Sequence, residues 1–353
     1  MLKYHSLSGA DIASLLEQEK IPAFRGRQLQ DWVYSKSAGS FREMNNLPLV
    51  LRTRFEELFD LEVPEGVRAE RSSDGTCKYV LKLSDGNLIE CVYLPYSDRR
   101  SVCVSSQVGC PVGCVFCASC ENGYVRDLTP GEIVNQLLFV QRENACRVTH
   151  VVFMGIGEPL LNLDNVEKAA EIINKEMGIS RRRITVSTSG IIKGIRALAD
   201  KKSEMTLALS LHSPFQEQRE TLIPAASANP LPGLTDAADY YFGKTGRRIT
   251  LEYLLIDGVN DSIKAANALA ALAKRLKAHV NLIPYNKVEG KPFRRPPEKK
   301  IKSFENALLA QNVQTTRRAE RGSAKAAACG QLRYETSSNT KKENDVCFKG
   351  SQS

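Results

Sequence analysis

The chain has 353 residues, of which 42% are hydrophobic and 25% are charged, so a large globular core is expected rather than disorder. Its net charge of +9 favours a polyanionic partner. The sequence shows neither a secretory signal nor an apolar run of membrane-spanning length. The ten cysteines therefore predict a cytoplasmic protein with metal-binding or catalytic thiols, and they disfavour a disulfide framework.

Residues 1–62 carry apolar residues at helical spacing and predict a small helical domain. Ser8 is placed to cap a helix that runs through Leu16, and two further helices are predicted at residues 24–34 and 49–58. Trp32, the only tryptophan, is expected to pack in the core of this bundle. The basic residues around it are candidate RNA contacts: Arg25, Arg27, Lys36 and Arg42.

Residues 63–100 change to the period of two that is typical of strands. Apolar stretches at 79–83 and 88–94, separated by a turn at 84–87, predict a β-hairpin. Glu90 lies inside the second stretch. A glutamate there is usually structural, but strand alternation could also direct it toward the cysteines that follow.

From residue 101 to residue 320 the predicted strands and helices alternate. This α/β pattern predicts a parallel sheet with helices outside it, curled into a full or partial barrel, with functional residues at the carboxyl ends of the strands. Residues 333–353 are rich in Ser, Thr, Lys and Asn and predict a disordered tail. The predicted strands are 148–154, 184–187, 205–211, 249–256, 280–283 and 313–316.

Three cysteines lie close together in Cys110-Pro-Val-Gly-Cys114-Val-Phe-Cys117, and Cys120 follows three residues later. Thiolates in such a turn-rich segment can converge on one metal centre. Three thiolates on a four-iron cluster would leave one iron open to chelate S-adenosylmethionine (SAM), which can then be cleaved to a 5′-deoxyadenosyl radical. With Cys120 as a fourth ligand, the segment also fits a structural zinc site or a fully ligated cluster, and the spacing alone leaves these alternatives open.

Polar residues follow several of the predicted strands. The turn Gly155-Ile-Gly157-Glu158 lets a ligand approach the backbone, and Glu158 can accept a hydrogen bond from an ammonium group. The remaining strand-end groups suit recognition of ribose, carboxylate, amine or adenine, or serve only as helix caps: Ser187, Ser189, Ser210, His212 and Asn286.

Cys329 lies in a loop of small residues near the carboxyl terminus, with arginines and lysines close by in the sequence. Such surroundings can lower the pKa of a thiol and make it a nucleophile. An inert thiol in a flexible segment is the alternative.

Taken in order, these residues resemble the RlmN-like radical SAM methyltransferases, which modify adenine C2 in ribosomal and transfer RNA. The resemblance covers residues 24–332, nearly the whole chain. The motifs that carry it are Phe24-Arg-Gly-Arg-Gln28, Cys103-Val-Ser-Ser-Gln-Val-Gly-Cys110, Gly155-Ile-Gly-Glu-Pro-Leu160, Ser210-Leu-His-Ser213, the stretch from Glu252 to Asp261, Val280-Asn-Leu-Ile-Pro-Tyr-Asn286 and Ala327-Ala-Cys-Gly-Gln-Leu332.

The resemblance implies a radical SAM partial (βα)6 barrel at 101–320, a catalytic cysteine loop at 321–332, a 4Fe-4S cluster and two SAM molecules per turnover. It gives Cys329 the role of methyl carrier, Cys103 that of the thiol that resolves a protein–RNA adduct, and Glu90 that of proton acceptor. It makes Cys110, Cys114 and Cys117 the cluster ligands and Cys120 a bystander. The implied SAM contacts are Gly157, Glu158, Ser189, Ser210, Leu211, His212 and Asn286.

The resemblance also implies partners and leaves two rival activities open. Ribosomal RNA, and transfer RNA as a second substrate, are the expected partners of a monomer that receives electrons from a flavodoxin or ferredoxin. Methylation of adenine C8, which confers antibiotic resistance, uses the same set of cysteines. A non-catalytic RNA-binding protein with a structural metal centre is a rival from another class, although such a module would need neither Cys103 nor Cys329.

Overall fold

The structure is a computed structural model that describes residues 1–121, 123–288 and 290–318. The segments predicted as a cysteine loop and a tail, residues 321–353, lie outside these ranges, and Cys329 lies with them.

The amino-terminal residues form the predicted helices and pair as a short parallel ribbon. Ser8 caps the first helix through a capping box with Asp11, which satisfies two backbone donors. Trp32 is half-buried at the edge of the main core, and Lys36 lies 3.8 Å from its ring centroid. The elements are β1 (Leu2–Lys3), α1 (Gly9–Gln18), α2 (Ala23–Gln30), which continues as a π-helix at Asp31–Ser35, α3 (Leu49–Leu58) and β2 (Phe59–Asp60).

Three antiparallel strands follow: β3 (Glu65–Arg71), β4 (Cys77–Lys82) and β5 (Leu88–Pro95). The pairing of β4 with β5 confirms the predicted hairpin, with Val80 opposite Glu90. Strand β3 was not predicted from the sequence, and most of its side chains are exposed. Because β5 also pairs with the next strand, the hairpin extends the barrel sheet.

The remaining strands alternate with helices, as predicted. The strands are β6 (Arg100–Cys103), β7 (Gln107–Gly109), β8 (Tyr124–Asp127), β9 (His150–Phe153), β10 (Ile184–Thr188), β11 (Thr206–Ser210), β12 (Thr250–Leu255), β13 (His279–Pro284) and β14 (Thr315–Arg317). The helices are α4 (Pro130–Glu143), α5 (Leu163–Lys175), α6 (Ile192–Asp200), α7 (Gln216–Leu222), α8 (Leu231–Thr245), α9 (Ile263–Arg275) and α10 (Glu298–Leu309). None of the helices in the described ranges has the length and apolar character that crossing a membrane requires.

Within the described residues one sheet of ten strands runs in the order β3-β4-β5-β6-β9-β10-β11-β12-β13-β14. From β6 onward neighbouring strands are parallel. In β9, β10 and β13 fully buried residues alternate with partly exposed ones, because one face packs against helices while the other faces the barrel interior. Six strand–helix units and a final strand form the predicted α/β partial barrel.

Helix α4 joins the amino-terminal helices to the barrel. Its residues from Pro130 to Gln141 are all buried, so it is covered on both sides. The side chain of Asn135 donates to the carbonyls of Leu61 and Glu62 at 3.1 and 2.9 Å, and Gln141 donates to Ser37 Oγ at 2.8 Å. These buried hydrogen bonds fix the position of the helical unit on the barrel.

Candidate active site

A cavity of about 340 Å³ opens at the carboxyl ends of the parallel strands, where α/β barrels place their functional residues. Most residues predicted to form the site line it. They are Cys103, Cys110, Cys114, Cys117, Gly157, Glu158, Ser189, Ser210, His212 and Asn286.

The cysteine segment leaves the barrel between β7 and β8, which pair with each other. Gly109 has a φ of +77° there, and a Cβ on it would lie 1.7 Å from the carbonyl oxygen of Gly123, so only glycine fits. Val112 and Ala118 pack in a separate apolar cluster with residues of α7 and of the segments after β12 and β13. The backbone N–H of Val115 donates to the carbonyl of Leu222 at 3.1 Å. The loop is therefore held at a fixed place on the cavity wall.

The four thiols of this loop lie together. The thiol of Cys120, which falls in a short 3-10 helix at Ala118–Cys120, lies next to those of Cys110 and Cys117. Burial raises the pKa of Cys114, and the contact with Cys120 together with burial raises that of Cys117. Cluster ligation must therefore displace protons from these thiols.

The donor set of this loop fits an iron–sulfur cluster. No three His, Cys, Asp or Glu side chains in the described ranges are placed to hold a single metal ion. A four-iron cluster differs because each thiolate binds its own iron. Thiolates are the ligands that such clusters prefer, and Cys110, Cys114 and Cys117 supply three of them on the cavity wall.

The glycine turn after β9 packs closely against the segment that follows β6. A Cβ on Gly155 would lie 2.7 Å from the carbonyl oxygen of Val104, and one on Gly157 would lie 2.7 Å from Gln107 Cβ. Gly157 also has a φ of +109°, which side chains strongly disfavour. Both glycines are therefore needed to form a backbone cradle at the cavity.

Glu158 lies at the end of that turn and is buried, and burial raises the pKa of its carboxyl. One carboxylate oxygen accepts from the backbone N–H of Ser189 at 2.7 Å and the other from that of Leu160 at 3.1 Å. The backbone N–H of Glu158 donates to Gln107 Oε1 at 2.8 Å. These hydrogen bonds orient the carboxylate toward the ends of β9 and β10, where it can accept a further hydrogen bond from a ligand.

His212 follows β11 with a φ of +56°, a left-handed conformation that histidine tolerates better than most residues. Its Nδ1 accepts from the backbone N–H of Leu254 at 3.0 Å, so the ring proton lies on Nε2. Burial, and then the charge of Arg219, lower the pKa of His212 to about 3. The ring is 5.1 Å from that of Phe116, edge to face. His212 is thus a neutral, rigid donor beside the cysteine loop.

Two of the predicted residues lie away from the cavity lining, and a third is not among the described residues. Leu211 is buried in the main core and does not line the cavity, although its N–H donates to the carbonyl of Glu252 at 3.0 Å. Glu90 is buried on β5 and does not line the cavity, while Val92, on the same face of the strand, does. Cys329 lies outside the described residues.

Several residues that support the site were not identified from the sequence. Asn162 donates to the carbonyls of Ser106 and Leu128 at 2.8 and 2.9 Å, and Asn260 donates to the carbonyl of His212 at 2.8 Å. Arg219 is fully buried and donates to the carbonyl of Ser189. All three donate hydrogen bonds to backbone carbonyls that are distant in sequence, so neither the spacing nor the composition of the sequence predicts them.

Comparison with known proteins agrees with this geometry. Residues 104–269 match the model of the radical SAM superfamily, and residues 6–61 match that of the ribosomal RNA large subunit methyltransferase N-terminal domain. A solved radical SAM methyltransferase from Sphaerobacter thermophilus is 40% identical, with a TM-score of 0.89 over 94% of this chain and 99% of the other.

Curated relatives are similar over almost their whole length. The probable dual-specificity RNA methyltransferase RlmN of Clostridium perfringens strain SM101 is 46% identical over 88% of this chain and 90% of its own. The protein of the same name from Trichodesmium erythraeum is 45% identical over 93% of this chain and 94% of its own. The chain therefore belongs to the RlmN family of the radical SAM superfamily.

Proposed function

We propose that this protein methylates C2 of adenosine in the peptidyl-transferase region of 23S ribosomal RNA and, as a second substrate, in transfer RNA. The printed names of the relatives, dual-specificity RNA methyltransferases, support the substrate class, as does the match of residues 6–61 to a ribosomal RNA methyltransferase domain. Adenine C2 is not nucleophilic, so polar methyl transfer to it fails and carbon-radical chemistry is required. We also propose that the enzyme is a cytoplasmic monomer that receives electrons from a flavodoxin or ferredoxin.

Membership of the radical SAM superfamily implies a 4Fe-4S cluster and SAM. When bound, they supply a methyl group and a 5′-deoxyadenosyl radical. In our proposal Cys110, Cys114 and Cys117 hold the cluster, and Glu158 accepts a hydrogen bond from the amino group of SAM. The neutral His212 donates from Nε2, and the remaining contacts come from Gly157, Ser189, Ser210 and Asn286, while Leu211, which packs in the main core, holds the end of β11 in place.

The observation that carries the proposal is the position of Cys103. Its buried thiol lines the same cavity as the cysteine triad and the glycine turn. Arg318, the last described residue, lines this cavity as well, and Cys329 follows eleven residues later. Eleven extended residues span up to about 36 Å, so Cys329 can reach Cys103. A non-catalytic RNA-binding module would have no use for this pair.

The two thiols divide the work. Cys329 is proposed to carry the methyl group as a thioether. The 5′-deoxyadenosyl radical would take one hydrogen atom from that methyl group, and the resulting carbon would bond to adenine C2, which gives up one proton and one electron, the electron returning to the bound cluster. The thiolate of Cys103 then attacks Cys329 Sγ, and the carbon–sulfur bond breaks. The carbon keeps the bonding pair and takes a proton to become the methyl group, while the two sulfurs leave as a disulfide for an external reductant. Glu90 is buried and does not line the cavity, so its proposed role is to receive indirectly, through a group on the cavity wall, the proton that adenine C2 loses.

This scheme predicts that Cys103→Ala stops with RNA covalently attached, whereas Cys329→Ala and the double variant form no adduct. The measurement is denaturing gel electrophoresis with nuclease digestion of the shifted band. Cys146→Ala, at a half-buried cysteine that does not line the cavity, is the matched control and should turn over normally. Normal turnover by Cys103→Ala without a shifted band would refute the two-thiol scheme. Mass spectrometry of the RNA nucleosides decides between methylation at C2 and at C8.

We further propose that residues 1–62 form an RNA-binding unit. Arg27 and Arg42 are exposed, and Arg25 stacks 4.7 Å from the ring centroid of the exposed Phe24. Such side chains bind phosphates in a salt-dependent manner and stack on bases. Binding of unmethylated 23S RNA by the triple variant Arg25→Gln/Arg27→Gln/Arg42→Gln should be weaker and less salt-dependent than that of the unmodified chain. Unchanged affinity would exclude this assignment.

A further inference from the structure

A second cavity, of about 390 Å³, lies at the opposite end of the barrel. Arg99 precedes β6, and Arg182 and Arg183 precede β10, so all three belong to the amino ends of parallel strands. Arg317, the last residue of β14, and Arg318, which follows it, also contribute, and β14 pairs with only the first half of β13. Together five arginines line this cavity, and no Asp or Glu of the described residues does.

The arginines are only partly neutralised from outside the cavity. Arg99 and Asp98 are 3.5 Å apart, and the exposed Arg182 is 3.6 Å from Glu204. Exposed pairs at such distances are weak. Arg317 is paired with Glu298, whereas the exposed Arg183 forms no ion pair within the described ranges. Arg318 interacts with Glu252 of the neighbouring cavity. The arginine-lined cavity is therefore a concave surface with a net positive charge.

The two cavities share walls. Leu94, Tyr96, Met154 and Arg318 line both of them. Between them, Asn281 on the lower side donates to Glu252 on the upper side at 2.8 Å. The arginine-lined cavity is therefore adjacent to the cysteine-lined one, and Tyr96, with Arg99 stacked 4.2 Å from its ring centroid, lies on the wall that they share.

We propose that this arginine-lined cavity, which we call the basic mouth, binds the backbone phosphates next to the target adenosine, so that the base enters the lumen from the amino ends of the strands. This inference rests on the proposed function. Arginine is the side chain best suited to phosphate, and an aromatic ring beside it offers a stacking surface for an unpaired base. The proposed site for the cluster and SAM lies at the carboxyl ends of the strands, so the base and SAM reach the reacting centre from opposite sides.

Charge argues against the chain's own carboxyl-terminal segment as the occupant. Residues 319–353 contain six Lys or Arg and four Asp or Glu. A segment of net positive charge does not complement five arginines, whereas a polyanion does.

The test uses the holoenzyme and a protein-free, unmethylated 23S RNA transcript. Arg182→Gln/Arg183→Gln removes two exposed charges and should leave the fold intact. If each arginine neutralises one phosphate of unpaired RNA, the slope of log affinity against log salt falls by about 1.4 and KM for RNA rises roughly tenfold. The value of kcat and 5′-deoxyadenosine release without RNA should stay within about twofold, because neither side chain touches the reacting atoms.

The matched control is Arg196→Gln/Arg275→Gln, which also removes two exposed arginines, but from helices on the outside of the barrel. Arg275 is ion-paired at 3.4 Å, much as Arg182 is. An unchanged slope and KM in the basic-mouth variant would overturn the inference, and so would an equal loss in the control. If the unmodified enzyme neither binds nor methylates the transcript, the proposed function itself fails, an outcome that is distinguishable because it precedes any variant.

Discussion

The turn after β9 leaves no room for a side chain at Gly157. Its φ of +109° is a conformation that only glycine adopts readily. A Cβ there would lie 2.7 Å from both Gln107 Cβ and Ser106 Oγ, and 2.8 Å from Gln107 N. Backbone strain of about 1–3 kcal/mol adds to overpacking of about 1–3 kcal/mol. Gly157→Ala should therefore lower the free energy of unfolding by about 2–6 kcal/mol.

Gly157→Ala should also weaken SAM binding, because it disturbs the hydrogen bond between Gln107 and Glu158. The added methyl group pushes on Gln107, whose side-chain Oε1 accepts a hydrogen bond from the backbone N–H of Glu158. Displacing that acceptor moves the carboxylate proposed to hold the SAM amino group. Urea unfolding of the metal-free protein measures the first effect, and equilibrium dialysis of SAM with reconstituted protein measures the second.

Gly243 provides the matched control. It is exposed within α8, and a Cβ on it would meet nothing within 4 Å. Gly243→Ala should therefore leave SAM binding unchanged and raise the free energy of unfolding by up to about 1 kcal/mol, because alanine favours a helix. If Gly157→Ala were as stable as this control and bound SAM normally, the close packing of the turn would not have the role given to it here.

Two further predictions concern other parts of the molecule. Burial lowers the pKa of His5 to about 4, so between pH 6.5 and 4 the unfolded chain binds a proton that the folded chain does not. His5 should therefore make stability fall with decreasing pH in that window by about 1.4 kcal/mol per unit. Because His212, whose pKa is lowered as well, adds to the same slope, His5→Phe should reduce the slope in urea unfolding across pH by about 1.4 kcal/mol per unit without abolishing it, and an unchanged slope would contradict this prediction. Cys120→Ala should retain four irons per chain and an electron paramagnetic resonance signal that responds to SAM, while Cys117→Ala should lose both; loss of iron in the Cys120 variant would make Cys120 a ligand.

Much of the fold could be predicted because the apolar spacing is local information. The helix at Leu49–Leu58 was predicted with the bounds that the structure gives it. The strands of the barrel carry buried residues on at least one face, and this pattern made them visible. Strand β3 was missed because it lies at the sheet edge and buries little, so its sequence has no clear apolar pattern.

The site could be predicted only in part, for a related reason. The cysteine and glycine motifs predict their chemistry because all of their residues lie within a short stretch of sequence. The buried Arg219, by contrast, is defined by the carbonyl of Ser189, thirty residues away in sequence, and no local pattern marks it. Glu90 shows a further limit: strand alternation gives its face correctly, but only the packed structure shows that Val92, and not Glu90, reaches the cavity wall.

Unfilled space inside the barrel is the feature on which both proposals depend, and the inward-facing residues explain it. Closed eight-stranded barrels fill their interior with layers of bulky branched side chains. Here the inward positions of neighbouring strands carry small or polar residues, with Ser101 and Thr185 on the lower cavity and Ser187 and Ser210 on the upper one. Because the sheet also ends at β3 and β14 within the described residues, the barrel interior retains two adjacent cavities, one toward each end of the strands. A cofactor bound at the cysteine end leaves the arginine end free for RNA. The target base can then reach the cofactor while the RNA backbone stays outside the barrel.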